Sequence, residues 1–255
     1  MGALFNRSTP DYLTNASPPT LTPPFTVMMW AMQPTLVASN MALWSYSDFS
    51  KTIAAGNWFR VRATSTTGVI GASTSTAGAD VNAATALGPV AGEWFFIVAR
   101  FISSTNRKTA ALYRTGASHG TSTTSSAPAI TTPRMTFGTT QCSDGVTGSW
   151  TGHIGEFSLV NADVQPGGAQ LDDNLLRQLA YGGPYSVPSI ADKILIYRGF
   201  RSAVTSDQDR LDEHDVGGGL GRQTWAPTGA PRLSEHPSLP YSYELPIDNC
   251  RKVIV

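Results

Sequence analysis

The chain has 255 residues, with 18 Lys plus Arg against 18 Asp plus Glu, so its formal charge is zero and neither nucleic acid nor an anionic membrane is an expected partner. Charged residues make up 14% of the sequence, against roughly 25% in an ordinary soluble domain, while 24 Gly and 17 Pro supply turn formers. The apolar run Trp94–Ala99 is far shorter than the ~20 residues of a membrane helix, and Met1–Leu13 lacks the apolar stretch of a secretory signal, so neither a transmembrane segment nor a signal peptide is expected.

After an extended lead-in over residues 1–24, the first strong strand signal is Phe25–Met32, followed by Leu36–Tyr46. In Trp58–Ala63, Trp58, Arg60 and Arg62 alternate with Phe59, Val61 and Ala63, the period-two pattern of a strand with one wet and one buried face. Val69–Ala72 and Asp80–Leu87 are weaker, and Glu93–Ile102, almost continuously apolar, reads as a strand at the centre of a core. Ala110–Tyr113, Arg134–Gly138 and Gly152–Val160 complete eight or nine strands, which favours a two-sheet sandwich. The Ser/Thr/Ala-rich stretch Thr115–Thr132 reads as an exposed loop or irregular edge.

One helix is expected, over Leu171–Tyr181: Leu171, Leu175, Leu176 and Leu179 recur at helical spacing, Asp172 and Asp173 fall in its first turn, and Gly182-Gly183-Pro184 stops it. A further apolar stretch, Lys193–Tyr197, precedes an acidic patch (Asp207, Asp209, Asp212, Glu213, Asp215) and Gly217-Gly218-Gly219. Beyond these the chain is Pro-interrupted, with apolar side chains at no regular period. Residues 201–255 therefore read as an extended arm laid in a groove of its own domain or of a neighbour, with Trp225, Leu239, Tyr241, Tyr243 and Ile247 as its partner-binding residues. Residues 1–150 carry nine basic and five acidic side chains and residues 151–255 nine and thirteen, so opposite ends of neighbouring copies attract at close range, a hint of a homo-oligomer.

The order of several segments resembles a known family. Phe5 and Asp11-Tyr12-Leu13 are followed by Pro24-Phe25-Thr26-Val27-Met28-Met29-Trp30-Ala31 and by Gly92-Glu93-Trp94-Phe95-Phe96-Ile97-Val98-Ala99-Arg100-Phe101. Then come Trp150-Thr151-Gly152-His153-Ile154-Gly155-Glu156-Phe157-Ser158-Leu159, the Leu171 helix with Tyr181-Gly182-Gly183-Pro184, and Leu195-Ile196-Tyr197. This resembles the concanavalin A-like, laminin-G-like (LamG) jelly-roll domain of the type found in bacteriophage virion proteins. The tail around Gly229-Ala230-Pro231 and Glu235-His236-Pro237 is similar to the extension that follows the jelly roll in some of those sequences. The resemblance implies an all-β, two-sheet antiparallel jelly-roll sandwich over residues 1–200, with one short helix and the arm at 201–255.

The resemblance further implies a non-enzymatic structural protein of the virion, made in the host cytoplasm: a phage capsid-decoration, head-fibre or tail-associated subunit. Its partners would be other virion proteins and copies of itself. The alternative is a carbohydrate-binding, lectin-like module recognising a host surface glycan. For that role the candidate stacking residues are Trp44, Tyr46, Trp58 and Trp150, with core packing as their competing role.

No cofactor or catalytic residue is expected. The nearest carboxylate pair a glycosidase could use, Glu93 and Glu156, is isolated among apolar residues. Calcium is the one ion the resemblance brings in, but none of its ligand positions carries over, and the acidic patch lacks a calcium-loop spacing. His119, His153, His214 and His236 are dispersed without metal-ligand spacing, and Cys142 and Cys250, far apart in sequence, leave a single bridge open.

Overall fold

The computed structural model describes residues 2–8, 11–37, 39–64, 68–124, 127–199, 212–214, 226–228 and 232–234. In chain order the strands are β1 (Gly2–Phe5), β2 (Tyr12–Asn15), β3 (Phe25–Met32), β4 (Met41–Asp48), β5 (Trp58–Ala63), β6 (Ile70–Thr76), β7 (Ala79–Ala84), β8 (Trp94–Phe101) and β9 (Asn106–Tyr113). They continue with β10 (Gly116–Thr123), β11 (Pro133–Phe137), β12 (Thr140–Cys142), β13 (Gly145–Thr147), β14 (Gly152–Val160), β15 (Ile194–Gly199), β16 (Asp212–His214), β17 (Ala226–Thr228) and β18 (Arg232–Ser234). Helices α1 (Asp173–Gly182) and α2 (Pro188–Ala191) lie between β14 and β15.

The strands form the expected two-sheet antiparallel jelly-roll sandwich. One sheet, here sheet A, runs β10-β9-β8-β3-β14-β1-β18; β15 pairs with the far half of β14 on the side that β1 occupies at its near half, and carries β16. The other, sheet B, runs β17-β2-β11-β4-β5-β6-β7, and β12–β13 is a separate hairpin. All ladder pairings are antiparallel.

The core follows from strand periodicity. Phe25, Val27, Met29 and Ala31 of β3 point into the space between the sheets, where they meet Trp44, Tyr46, Phe59 and Val61 of sheet B. Phe25 stacks on Phe101 at 4.8 Å and meets Phe59 edge-on at 5.3 Å; Phe137 and Phe157 form a second edge-on pair at 4.6 Å. Such pairs add about 0.5–1.5 kcal/mol each beyond the area they bury.

The alternate residues of β3 and β8 are just as apolar, and this requires a third layer. Met28, Trp30, Phe96 and Val98 face the other way and are covered by Leu171, Leu176, Leu179, Val187 and Ile190 from the α1–α2 segment. The Asp172 side chain caps α1 by accepting from the backbone N–H groups of Asn174 and Leu175, a contribution of about 1 kcal/mol. Asp172 is thus the residue before the helix rather than part of its first turn.

Four further expectations are corrected. The second strand begins at Met41, and Leu36 is exposed in the loop before it. Thr115–Thr132, read as a loop or irregular edge, does reach a sheet edge, but as a regular eight-residue strand, β10, at the edge of sheet A. The lead-in contributes a strand to each sheet, β1 and β2. Trp58 and Arg60 do alternate with Phe59 and Val61, but their face is not wet: Trp58 is 4% and Arg60 5% exposed.

Parts of the arm return to the sandwich. β16 pairs with β15, β17 with β2 at the edge of sheet B, and β18 with β1 at the edge of sheet A. Trp225, Leu239, Tyr241, Tyr243 and Ile247 lie outside the described residues, as does Cys250.

Candidate functional site

Two outer faces carry polar or aromatic side chains in organised arrays. On the outer face of sheet B, the register aligns Arg60 with Ser45 on one side and Ser73 on the other, while Trp58 stands opposite Ser47 and Ser75. Asp80 of β7 gathers this face: it accepts from Arg60, from Arg62 Nη1 at 2.6 Å, from Ser73 Oγ at 2.8 Å and from Trp58 Nε1 at 3.2 Å. Desolvation, reinforced by the nearby Arg62 charge and opposed by Asp80, brings Arg60 down to about 10.

Beside this network, Ser45 and Ser47 donate to the carbonyls of Thr139 and Gln141, so the segment leading into and through β12 lies over the centre of the face. The Cys142 thiol there is 2% exposed and pushed up to about 11, first by burial and then by the Asp144 and Asp48 charges, with Arg60 opposing. A thiol so held is a poor nucleophile. The face is covered by its own chain, and both of its guanidinium groups converge on the one carboxylate of Asp80.

The outer face of sheet A differs. In β14 the pairing with β3 slips between Ile154 and Phe157, so Gly155 and Glu156 together oppose the single residue Trp30. Phe157 points into the inter-sheet core, and by alternation Glu156 points outward, where it is exposed. Aromatic side chains share this face. Trp30 lies 6.4 Å from Tyr181 at the end of α1, and Tyr197, whose register partner is Ser158, meets Tyr185 edge-on at 5.4 Å. One row further on, His153 and Trp94 have ring centroids 6.0 Å apart. Tyr181 is 46% and Tyr185 40% exposed. Burial lowers His153 from its ordinary value and raises Tyr185. These rings, with the outward carboxylate that stands opposite Trp30, make up the candidate binding site.

The aromatics expected to stack on a glycan do not form it. Trp44 and Trp150 are fully buried, Tyr46 is 2% and Trp58 4% exposed; none presents a ring face to solvent, so their role is packing. Trp44 lies among Phe25, Phe101 and Phe157, while Tyr46 donates no face but accepts the Leu21 backbone N–H at its hydroxyl, at 3.3 Å. Of the two carboxylates weighed as the nearest a glycosidase could use, Glu93 accepts from Arg114 Nη1 at 2.9 Å and Glu156 stands in the β14 bulge; no hydrogen bond joins them. His119 meets Asp173 at 2.9 Å, tying β10 to the start of α1. Among the described residues no three His, Cys, Asp or Glu side chains group as metal ligands; of the acidic patch only the backbone of residues 212–214 is described. Tyr181 was readable as the end of the helix, but Tyr185 was not singled out by the sequence, and nothing in the spacing of the two set them apart as surface rings.

No family model matches the chain, and no curated protein matches it. Among solved structures, it is similar to the LG1–3 region of the laminin α2 chain, with a TM-score of 0.47 and 9% identity over 68% of this chain and 32% of that one. It is similar to the heptameric SAP-like pentraxin from Limulus polyphemus, with a TM-score of 0.49 and 11% identity over 90% and 94% of the two chains. A third is full-length tailspike protein 2 from an Escherichia coli O157:H7 bacteriophage, with a TM-score of 0.49 and 12% identity over 78% of this chain and 26% of that one. The chain thus spans about a third of the laminin fragment and a quarter of the tailspike, and at such identities these likenesses say nothing about activity.

Proposed function

We propose that the chain is a non-enzymatic structural protein of a bacteriophage particle, a capsid-decoration, head-fibre or tail-associated subunit that holds its neighbours through the jelly roll and the C-terminal arm. The observation that carries this reading is that β17 and β18, from the first part of the arm, extend the same side of both sheets as edge strands. A large side chain from residues 235–255, buried fully against a partner, contributes about 1.5–3 kcal/mol before ordering costs. The test is deletion of residues 235–255, which leaves β17 and β18 in place. Attachment to particles, or oligomerisation in sedimentation velocity, is expected to fall while the melting transition stays. Undiminished attachment would count against the arm's role.

A second reading, a carbohydrate-binding module for a host surface glycan, is favoured by the exposed rings of Tyr181 and Tyr185 beside Glu156. A glycan array probed with and without chelator separates the two and tests for calcium. Flat binding across all sugars leaves the structural role alone.

A further inference from the structure

We infer that the aromatic margin of sheet A is a site for an uncharged pyranose, with Tyr181 and Tyr185 supplying ring surface and Glu156 accepting its hydroxyls; this rests on the carbohydrate-binding reading. The bulge is the starting point. It interrupts the ladder of β14, which is flanked by strands on both sides, and its effect is to turn Glu156 outward opposite Trp30. Bulges recur beside functional sites, where they re-aim a side chain.

Glu156 takes part in no hydrogen bond or ion pair among the described residues, whereas Glu93, the comparable carboxylate at the start of β8, is matched by Arg114. Its neighbours on the same face are rings: Trp30 directly across, and Tyr197 opposite Ser158, two residues along β14. Tyr181 and Tyr185 extend those rings toward solvent.

Charge and hydrogen-bond complementarity decide the occupant. A partner surface of aliphatic side chains seated here would desolvate the carboxylate and leave it unpaired, which is costly. A pyranose brings both halves of what the site lacks: C–H patches that lie against aromatic rings, and adjacent hydroxyl donors for the two carboxylate oxygens. A sialylated or sulfated sugar would bring a second negative charge to Glu156 and is disfavoured.

The experiment is a glycan array with neutral, sialylated, sulfated and amino-sugar arms and a basic-peptide control, using the full chain and the variants Glu156→Gln, Tyr181→Ala and Tyr185→Ala. Affinity for the preferred neutral glycan is then measured by titration. The wild type is expected to select neutral glycans, and each variant to lose about tenfold or more, with the melting temperature unchanged for Glu156→Gln, which breaks no hydrogen bond or ion pair among the described residues. Neutral-glycan binding that survives all three substitutions would overturn the site but leave the carbohydrate-binding reading standing. Selection of acidic sugars, or of amines and basic peptide alone, would overturn the ligand class. A flat array would overturn both the site and the reading beneath it.

Discussion

The Arg100 guanidinium grips the Asp163 carboxylate with two parallel hydrogen bonds, Nε to Oδ1 at 2.6 Å and Nη2 to Oδ2 at 2.8 Å. The same group donates to the carbonyls of Gln165 at 2.6 Å and Ala169 at 2.7 Å, so one side chain from β8 fastens the loop that delivers the chain to α1. Arg100 is 1% exposed, and truncating it leaves the nearly buried Asp163 carboxylate with the Gln165 backbone N–H at 3.2 Å in place of a bidentate guanidinium, and removes the donor that the Gln165 and Ala169 carbonyls share. Arg100→Met is expected to cost about 3–5 kcal/mol in urea denaturation. Hydrogen exchange should also speed up across residues 163–182 before the rest of the sandwich. A loss below about 1 kcal/mol would mean that the loop is held by other contacts.

A second prediction concerns the side of the sandwich away from the arm, where β7 and β10 come together. A Cβ built on Gly120 would lie 2.1 Å from the Ala84 carbonyl oxygen, a backbone atom that cannot rotate away. Gly120→Ala is therefore expected to prise β10 from β7 and to cost about 1–3 kcal/mol. Thr121→Ala, one residue on and exposed in the same strand, should stay within about 0.5 kcal/mol. Equal effects from the two would show that the close approach carries no weight.

What the sequence made legible depends on how much apolar patterning each segment carries. Phe25–Met32 and Gly152–Val160 are found at their expected limits, because both faces of β3 are buried and β14 is bounded by turn-forming residues. β10 escaped notice because Gly116, Ser118, His119 and Gly120 look like loop residues; its pairing with β9, not its side chains, makes it a strand. Trp58, Arg60 and Arg62 were correctly grouped on one face, but the inference that this face is wet failed. Asp80 sits about 20 residues away in sequence and the β12 segment about 80, and only the fold brings them over it. The candidate site was illegible for a related reason: a bulge is a mismatch between two strands, and β14 alone does not announce where β3 slips.

Two groups, the half-buried His153 and the buried Asp48, predict how stability depends on pH. Burial holds His153 below its ordinary value of 6.5, so the unfolded chain takes up this proton first. Its contribution is complete above about 6.5 and falls as pH drops toward the depressed folded value. Asp48 is opposed by burial, but donors from Ser50 and Thr131 outweigh that and leave it below its ordinary 3.8. Its share survives down to about 3.8 and is lost as pH falls through the lower folded value. Melting temperatures across pH 3–8 should thus decline in two stages, the first absent in His153→Gln. A flat profile from pH 7 to 5 in the wild type would contradict the assignment to His153.

The last prediction separates core rings from surface rings. Trp44 is fully buried, with Phe25, Phe101 and Phe157 each at a centroid distance of 6.4 Å, and its indole Nε1 finds no hydrogen-bond partner among the described residues. Trp44→Ala removes the ring and leaves a cavity between the sheets, so a loss of about 3–5 kcal/mol is expected. Trp44→Phe keeps an aromatic ring in the cluster and also deletes the unpaired buried N–H, whose desolvation alone costs about 1–3 kcal/mol. Its net loss should be less than half that of the alanine variant by urea denaturation. Because Trp44 has no exposed face, Trp44→Phe should also leave any glycan affinity unchanged, whereas Tyr185→Ala should reduce that affinity with little change in stability. The opposite pattern, affinity following Trp44 and stability following Tyr185, would put the recognition surface between the sheets, where a sugar could enter only by parting them.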